Sequence, residues 1–242
     1  MSWPLPFWIA HRGAGKLAPE NTLAAFRLGA SHGYRAFECD VKLSRDGLPF
    51  LLHDAKLDRT TAARGVAGEQ DWAELSKLDA GAWHSPAFAG EPLPSLAAIE
   101  QFCIDGGHAL NLEIKPTPGQ ETLTGQVVGR LASRHCKTLF SSFQPEALMG
   151  AAETAPDIPR ALLLDALKPG WLLQARSLGC VAVVTAYRLM DKAMIDVIHE
   201  VGMRALVYTV NDAAAAKALI DHGVDGLITD AVDKFSPLEN AR

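Results

Sequence analysis

The chain has 242 residues, of which 48% are hydrophobic and 21% are charged. This composition is typical of a soluble globular protein, and the length suits one large domain. The formal net charge of −5 gives no reason to expect nucleic acid or an anionic membrane as a partner, so the attraction for any anionic ligand must be local.

Short apolar runs alternate with amphipathic helical stretches along the chain. The apolar runs predict nine strands, at residues 8–11, 36–41, 49–53, 109–114, 138–142, 160–164, 180–185, 204–209 and 225–229. The helical patterns predict helices at residues 22–30, 95–104, 121–133, 145–154, 171–178, 192–201 and 213–222. Repeated strand–helix units indicate a parallel sheet, and this number of units favours a closed barrel. We therefore predict an α/β fold, a TIM-like (β/α)8 barrel that occupies residues 1–242 as a single domain. An open, doubly wound sheet is the alternative.

One connection is too short for a crossover helix. Only residues 42–48 separate the second and third predicted strands, whereas parallel strands need a connection of about a dozen residues or more. The segment Ser44-Arg45-Asp46-Gly47 is typical of a turn, so these two strands are expected to form a hairpin. Eight strands then remain for the barrel with one extra arm, and the hairpin brings His53 back beside Asp40.

A segment without periodic pattern follows, at roughly residues 54–94, and is called the excursion below. Trp72, Leu75 and Leu78 predict one short helix in it. Loops of this length are usually functional or disordered, and the aromatic residues favour an ordered one. We predict a short excursion over the mouth of the barrel.

Carboxylates lie at the ends of two predicted strands. Glu38 and Asp40 share one face of the second strand, and Asn111, Glu113 and Lys115 share one face of the strand at 109–114, because successive strand residues point to opposite faces. The helices must cover the apolar faces, so these polar faces are expected to point into the barrel near the carboxyl ends of the strands.

Three inward carboxylates need compensation, since burying an ionised carboxylate alone costs several kcal/mol or more. A divalent cation would supply it, and ligation by oxygen alone suits Mg²⁺ or Ca²⁺ better than zinc. We therefore predict Glu38, Asp40 and Glu113 as metal ligands. The alternative is an ion-pair network with Arg12 and Lys115 in the core.

Two histidines are expected to converge on these carboxylates. His11 ends the first predicted strand and His53 ends the third, and imidazole has the pKa that acid–base catalysis near neutral pH requires. The remaining histidines fall in loops or at helix ends, and we interpret them as surface residues: His32, His84, His108, His135, His199 and His222.

Arg12 and Lys115 are candidate contacts for an anion such as a phosphoryl group. The alternative for each is a salt bridge, to Glu20 or to Glu113 respectively, and both roles can coexist. No glycine-rich nucleotide loop is present, because the segment that begins at Gly13 lacks the spacing of a P-loop.

The cysteines and the first residues indicate the compartment. The four cysteines contain no C-x-x-C pair, which argues against a zinc site and a disulfide framework. The first ten residues lack the features of a signal peptide, and no apolar run approaches the roughly 18 residues of a membrane span. A cytoplasmic protein with reduced thiols and no membrane span is expected.

Taken together and in this order, the motifs resemble those of the glycerophosphodiester phosphodiesterases, from about residue 8 to residue 230. The motifs are His11-Arg12-Gly13, Pro19-Glu20-Asn21-Thr22, Glu38-x-Asp40, Asp46-Gly47, His53-Asp54, Glu113-Ile114-Lys115, Ser142-Phe143, Tyr208-Thr209-Val210-Asn211 and Asp225-Gly226-Leu227-Ile228-Thr229-Asp230. The short excursion and the missing signal peptide look most like the cytosolic bacterial enzymes of the UgpQ type.

The resemblance implies a TIM-like barrel, a bound Mg²⁺ or Ca²⁺, and a small-molecule glycerophosphodiester as substrate. It implies Glu38, Asp40 and Glu113 as the metal ligands. It also implies His11 and His53 as the acid–base pair. Phe143 and Tyr208 are expected to line the glycerol pocket, or else to pack at the lip of the barrel. Tyr208 departs from the family, since many members carry tryptophan there, and both side chains make flat amphipathic walls.

Other functions remain possible on the same scaffold. The nearest alternative is another phosphodiesterase or phospholipase, which would need an apolar surface for a lipid interface or a secretion route. An isomerase or aldolase barrel would usually bind phosphate after the seventh and eighth strands, where no glycine-rich cradle is found. A non-catalytic barrel is the third alternative, and two histidines beside a metal site argue against it.

Overall fold

A computed structural model describes residues 3–237. Its strands are β1 Trp8–Ala10, β2 Ala36–Leu43, β3 Pro49–Leu51, β4 Ala109–Ile114, β5 Lys137–Ser142, β6 Arg160–Leu164, β7 Ala182–Ala186, β8 Arg204–Tyr208 and β9 Gly226–Thr229. Its α-helices are α1 Leu23–Ser31, α2 Trp72–Leu75, α3 Leu96–Gly106, α4 Glu121–Leu131, α5 Pro145–Thr154, α6 Trp171–Ser177, α7 Lys192–Glu200 and α8 Ala213–His222. Among the described residues, no helix combines the length and the apolar character that crossing a membrane requires.

Eight parallel strands form a closed barrel. The sheet runs in the order β1, β9, β8, β7, β6, β5, β4, β2, and β1 pairs with both β9 and β2. β3 lies outside this ring and runs antiparallel to β2, with Val41 opposite Leu51 and Leu43 opposite Pro49. The predicted (β/α)8 barrel and the predicted hairpin are therefore confirmed, and the predicted element boundaries differ from these by at most two residues.

The alternation of side chains along each strand builds two separate cores. Outward residues such as Phe37 and Leu110 pack beneath the helices, where the ring of Phe26 on α1 lies 5.0 Å from that of Phe37. Inward residues such as Ile9 and Leu206 form a smaller apolar plug inside the barrel.

Beyond this apolar plug, towards the carboxyl ends of the strands, the inward-facing residues are polar. On β2, inward Ala36 is followed by Glu38 and Asp40, and after β9, inward Ile228 is followed by Asp230. Because parallel strands end at the same edge of the barrel, this change from apolar to polar gathers polar side chains at its carboxyl-terminal mouth.

The excursion is ordered and has a small apolar core of its own, made by Phe50, Leu52, Leu57, Ala67, Leu75, Ala80 and Leu93. It contacts the first turn of α1, since the Ala24 amide donates to Glu91 Oε1 at 2.9 Å. The His84 ring nitrogen Nε2 also lies 3.0 Å from the Lys16 carbonyl oxygen. These contacts hold the excursion beside the first βα unit, and its placement over the mouth stays a prediction.

One of the six histidines that were predicted to lie on the surface is buried instead. His108 is only 5% exposed. Its ring stacks on Phe102 at 5.3 Å and meets the edge of Phe37 at 5.2 Å. The imidazole acts here as an aromatic packing group in the layer between α3 and the barrel, which its position in a loop does not reveal.

Candidate active site

Three buried carboxylates meet at the mouth of the barrel. Glu38, Asp40 and Glu113 are 3%, 1% and 8% exposed, and each offers an oxygen within 4.8 Å of the oxygens of the other two. Asp40 lies opposite Glu113 in the register of β2 and β4. The structure thus brings together the three residues that the sequence predicted to converge.

Two cations flank this cluster. Lys115 Nζ lies 3.3 Å from Asp40 Oδ1 and 3.2 Å from Glu113 Oε1. Arg12 Nε lies 3.5 Å from Asp40 Oδ2, and its backbone amide donates to Glu38 Oε2 at 3.1 Å. Arg12 has a left-handed backbone with φ of 50°, followed by Gly13 at 97°. The predicted alternative also holds, because Arg12 Nη1 donates to Glu20 at 3.0 Å.

Asn21 holds Asp40 by two hydrogen bonds. Its Nδ2 donates to Asp40 Oδ2 at 2.8 Å, and its Oδ1 accepts from the Asp40 amide at 3.1 Å. Asn21 has a φ of 59°, a conformation that asparagine tolerates better than most residues. This role was not predicted from the sequence, in which Asn21 stood out only as part of the motif Pro19-Glu20-Asn21-Thr22.

The three carboxyl groups differ in the direction of their pKa shifts. Burial would raise the pKa of Asp40, but Lys115 and Arg12 outweigh it and hold that pKa below its ordinary value. Burial, and then the negative charge of Asp40, raises the pKa of Glu113 to about 7 and that of Glu38 well above its usual range. The ionised forms of Glu38 and Glu113 are therefore costly when only these side chains are present.

This donor set fits a divalent cation. A cation of charge +2 can replace the protons on Glu38 and Glu113, and oxygen donors are the ligands that Mg²⁺ and Ca²⁺ prefer. The ion pairs of the alternative interpretation are also present, but they leave the pKa values of both glutamates raised, so further positive charge would stabilise the cluster.

The first histidine is fixed across the closing strands of the barrel. His11 Nδ1 lies 2.6 Å from Asp230 Oδ1, and His11 Nε2 lies 3.7 Å from Glu38 Oε2. Asn211 holds Asp230 in turn, because its Nδ2 donates to Oδ2 at 2.9 Å and its Oδ1 accepts from the Asp230 amide at 2.8 Å. Burial opposes it, but the His11 hydrogen bond keeps the pKa of Asp230 below its ordinary value, so Nδ1 of His11 carries the proton and Nε2 faces the carboxylates.

The second histidine is delivered by the hairpin. The Leu52 amide donates to the Asp40 carbonyl at 3.0 Å, which places the end of the arm next to β2 as predicted. His53 Nδ1 lies 2.7 Å from Asp54 Oδ1, leaving Nε2 free. Burial lowers the pKa of His53, and the negative charge of Asp40 opposes that shift only in part.

Phe143 and Tyr208 form an aromatic corner beside the cluster. Their ring centroids are 6.0 Å apart with the planes at 86°, and both line one cavity together with His11, Glu38 and Glu113. The Tyr208 hydroxyl donates to the Leu164 carbonyl at 3.2 Å, which anchors the ring. Burial raises the pKa of Tyr208 above its ordinary value, so the hydroxyl stays protonated and keeps this bond.

Sequence reasoning missed the partners of the two histidines. Asp54, Asn211 and Asp230 lie in the motifs given above, but their contacts with the histidines and with each other were not predicted. A signal existed for Asp230, because it continues the inward face of β9 by two positions from Ile228, as Asp40 does on β2 from Glu38. None existed for Arg59, which binds both Glu20 and Asp54 from a segment without periodicity.

Comparison with known proteins gives one consistent result. A family model described as the glycerophosphoryl diester phosphodiesterase family matches residues 11–234. The Bacillus subtilis protein YhdW is 36% identical over 233 residues, covering 93% of this chain and 94% of the relative. A glycerophosphodiester phosphodiesterase of Caldanaerobacter subterraneus subsp. tengcongensis is 31% identical over 227 residues, 92% of this chain and 93% of the relative. A solved Oleispira antarctica phosphodiesterase, in complex with the product sn-glycerol-3-phosphate, has a TM-score of 0.91 at 34% identity, and the match covers 98% of each chain.

Proposed function

The chain belongs to the glycerophosphoryl diester phosphodiesterase family and is an enzyme of that class, and we propose that it hydrolyses glycerophosphodiesters to glycerol-3-phosphate and an alcohol with the help of a divalent cation. The observation that carries this proposal is the cluster of three buried carboxylates beside two aspartate-bound imidazoles. The Oleispira relative, crystallised with sn-glycerol-3-phosphate, supports the same product. The UgpQ subtype stays a prediction.

Glu38, Asp40 and Glu113 would hold the cation, either Mg²⁺ or Ca²⁺. When bound, it supplies positive charge to the phosphoryl oxygens and neutralises the buried carboxylates.

Arg12 and Lys115 would bind the phosphodiester anion from the protein side. Each already lies against Asp40, so both are fixed before substrate arrives. Preorganised positive groups stabilise the charge that develops on the non-bridging oxygens without any reorganisation cost at the moment of reaction.

The two histidines would transfer protons. We assign His11 as the base that takes a proton from the nucleophile and His53 as the acid that protonates the departing alkoxide. In both residues Nδ1 is bound to an aspartate, so Nε2 is the nitrogen available for proton transfer. The nucleophile is either water or the neighbouring hydroxyl of the glycerol itself, which would gain from proximity and pass through a cyclic phosphate.

Phe143 and Tyr208 would form a wall for the glycerol group. Their perpendicular rings border the same cavity as His11 and the carboxylates. Such a wall binds the carbon chain of glycerol by apolar contact.

The test is release of glycerol-3-phosphate from glycerophosphocholine and glycerophosphoethanolamine, with Mg²⁺, with Ca²⁺ and with EDTA. We expect release with one or both cations and none in EDTA. As a matched pair, Glu38→Ala should abolish both activity and metal response, whereas His135→Ala, at an exposed site, should behave as wild type. A folded, metal-loaded sample that releases no product would contradict the proposed substrate, and full activity in EDTA would contradict the metal.

A further inference from the structure

Arg59 donates four hydrogen bonds to two carboxylates beside the candidate site, and the proposed function gives it no role. Its Nε and Nη2 donate to the two oxygens of Asp54 at 2.7 and 3.0 Å. Its Nη1 and Nη2 donate to the two oxygens of Glu20 at 2.8 and 2.7 Å. One guanidinium group thus forms paired hydrogen bonds with two carboxylates at once, a geometry that lysine cannot reproduce.

Each of these carboxylates has a second partner in the site. Asp54 Oδ1 binds His53 Nδ1 at 2.7 Å, and Glu20 Oε1 accepts from Arg12 Nη1 at 3.0 Å. Arg59 is therefore one residue removed from the proposed acid and one residue removed from the proposed phosphate contact.

We propose that Arg59 is a positioning residue that holds His53 through Asp54 and Arg12 through Glu20. It thereby fixes the distance between the group that protonates the leaving alcohol and a group that binds the phosphate. This inference rests on the proposed function, because it gives Arg59 its role through the roles of His53 and Arg12.

The electrostatics around Arg59 agree with this role. The hydrogen bonds from Arg59 hold the pKa of Asp54 well below its ordinary value. Asp54 therefore stays an anionic acceptor for the Nδ1–H of His53. Without Arg59, Asp54 and Glu20 would each lose two charge-assisted hydrogen bonds and could turn towards water.

The position of Arg59 in the chain makes the inference more specific. It belongs to the excursion, and its guanidinium carbon lies 5.9 Å from the centroid of the Trp83 ring of the same segment. Glu20 belongs to the segment between β1 and α1. Arg59 therefore ties the excursion to the barrel at the point where both present site residues.

The experiment compares Arg59→Ala with Arg64→Ala in the metal-loaded enzyme. Arg64 lies on the same excursion, forms only a 3.6 Å ion pair with Asp58, and is 86% exposed. Loss of a partner that orients a functional imidazole typically costs about 10- to 100-fold, so we expect a loss of that size in kcat/KM for Arg59→Ala, with part of it in kcat. Arg64→Ala should stay within about twofold of wild type, as a surface substitution should.

Chemical rescue distinguishes positioning from general stabilisation. Added guanidinium chloride at low millimolar concentration should restore part of the Arg59→Ala activity, while equal sodium chloride should not. A double-mutant cycle adds a second criterion: Arg59→Ala should cost less in an Asp54→Ala background than in wild type, because the part of its effect that passes through Asp54 is already lost there.

Three results would overturn the inference. They are wild-type kcat/KM in Arg59→Ala, an equal loss in Arg64→Ala, or a full multiplicative loss in the double variant without guanidinium rescue. If Arg59→Ala does not fold, Arg59→Lys keeps the charge without the paired geometry, and its retention of wild-type kinetics would also overturn it. Two further measurements separate the two levels: near-normal activity in His53→Ala would mean that His53 is not the proposed acid, whereas no product release from the folded, metal-loaded wild type would mean that the proposed function itself fails.

Discussion

The two aspartate–histidine pairs have similar hydrogen bonds but different structural support. His11 and Asp230 lie 2.6 Å apart across the seam between β1 and β9, and their side chains are 16% and 17% exposed. His53 and Asp54 lie 2.7 Å apart on the arm beyond β3, and their side chains are 30% and 32% exposed. The first pair is held by barrel strands and Asn211, and the second by Arg59 of the excursion.

This difference shows that the barrel supplies only part of its site from its own wall. The carboxylates and His11 follow from strand register, which closure of the ring fixes. His53 depends on the hairpin and on ion pairs at the surface, where water can replace a lost partner. The seam should therefore be the stiffer half of the site, and the arm the more adjustable half.

The largest expected effect comes from removing either imidazole. His11→Ala and His53→Ala should each lower kcat by at least about 100-fold, since general acid–base catalysis contributes roughly 10²- to 10⁴-fold. The measurement is steady-state release of glycerol-3-phosphate at saturating metal, with His135→Ala as the control. Near-normal turnover in both variants would show that neither half of the site performs acid–base catalysis.

The next effect separates the halves. Asp230 accepts from His11 on one oxygen and from Asn211 on the other, so in Asp230→Asn the new amide group must face a donor. We expect a loss in kcat towards 100-fold for Asp230→Asn and nearer to 10-fold for Asp54→Asn, within the range for partners that orient an imidazole. The reverse order in kcat would contradict the view that the seam is the stiffer half.

The sequence predicted the carboxylates of the barrel wall and the hairpin that carries His53. The period-two pattern of Glu38 and Asp40 gave the inward carboxylates, and the turn at Ser44 to Gly47 gave the hairpin and the place of His53. These features depend on local backbone geometry, which a single sequence encodes directly.

What the sequence did not reveal are contacts between distant segments. The His11–Asp230 pair joins residues 219 positions apart, and it exists only because the ring closes. The bonds of Arg59 depend on the path of the excursion, which has no period. His108 was misplaced for a similar reason, because its burial depends on how Phe102 and Phe37 pack against it.

A smaller effect is expected on stability. Asp230→Asn should lower the free energy of unfolding by about 2 kcal/mol, because hydrogen bonds to charged groups contribute about 1.5–3 kcal/mol. Asp54→Asn should cost less than about 1 kcal/mol, since the side chain of its partner Arg59 is 42% exposed and water can replace a lost partner there. Urea unfolding of the apo proteins measures both values, and equal losses would remove the distinction between seam and arm.

A further effect on stability uses a site remote from both pairs. Burial raises the pKa of Glu100 on α3 to about 7, so its protonated form stabilises the fold fully below about pH 4.5, and this stabilisation is lost as the pH rises through 7. Glu100→Gln keeps the acceptor for the Ser133 amide and carries no charge. It should therefore be more stable than wild type by about 3 kcal/mol at pH 8 and nearly equal at pH 4.5, since the pKa rises from 4.5 to about 7 and each pKa unit corresponds to about 1.4 kcal/mol.

Urea unfolding at the two pH values tests this expectation. It also supplies the pH dependence of global stability, which must be known before pH–rate profiles of the two histidine pairs are compared. An unchanged difference between the variants at pH 4.5 and pH 8 would show that Glu100 does not titrate with folding.

The pairing of β1 with β9 has a consequence for the protein during its synthesis. β1 contacts β2 in register at one pair, Ala10 with Phe37, but β9 at three. A ribosome has made every proposed metal ligand and both histidines once Glu113 is complete, yet the strand that holds β1 and the aspartate that orients His11 come more than a hundred residues later. The nascent chain therefore carries the proposed site residues long before the ring can close, and the site is complete only when β9 and Asp230 have left the exit tunnel.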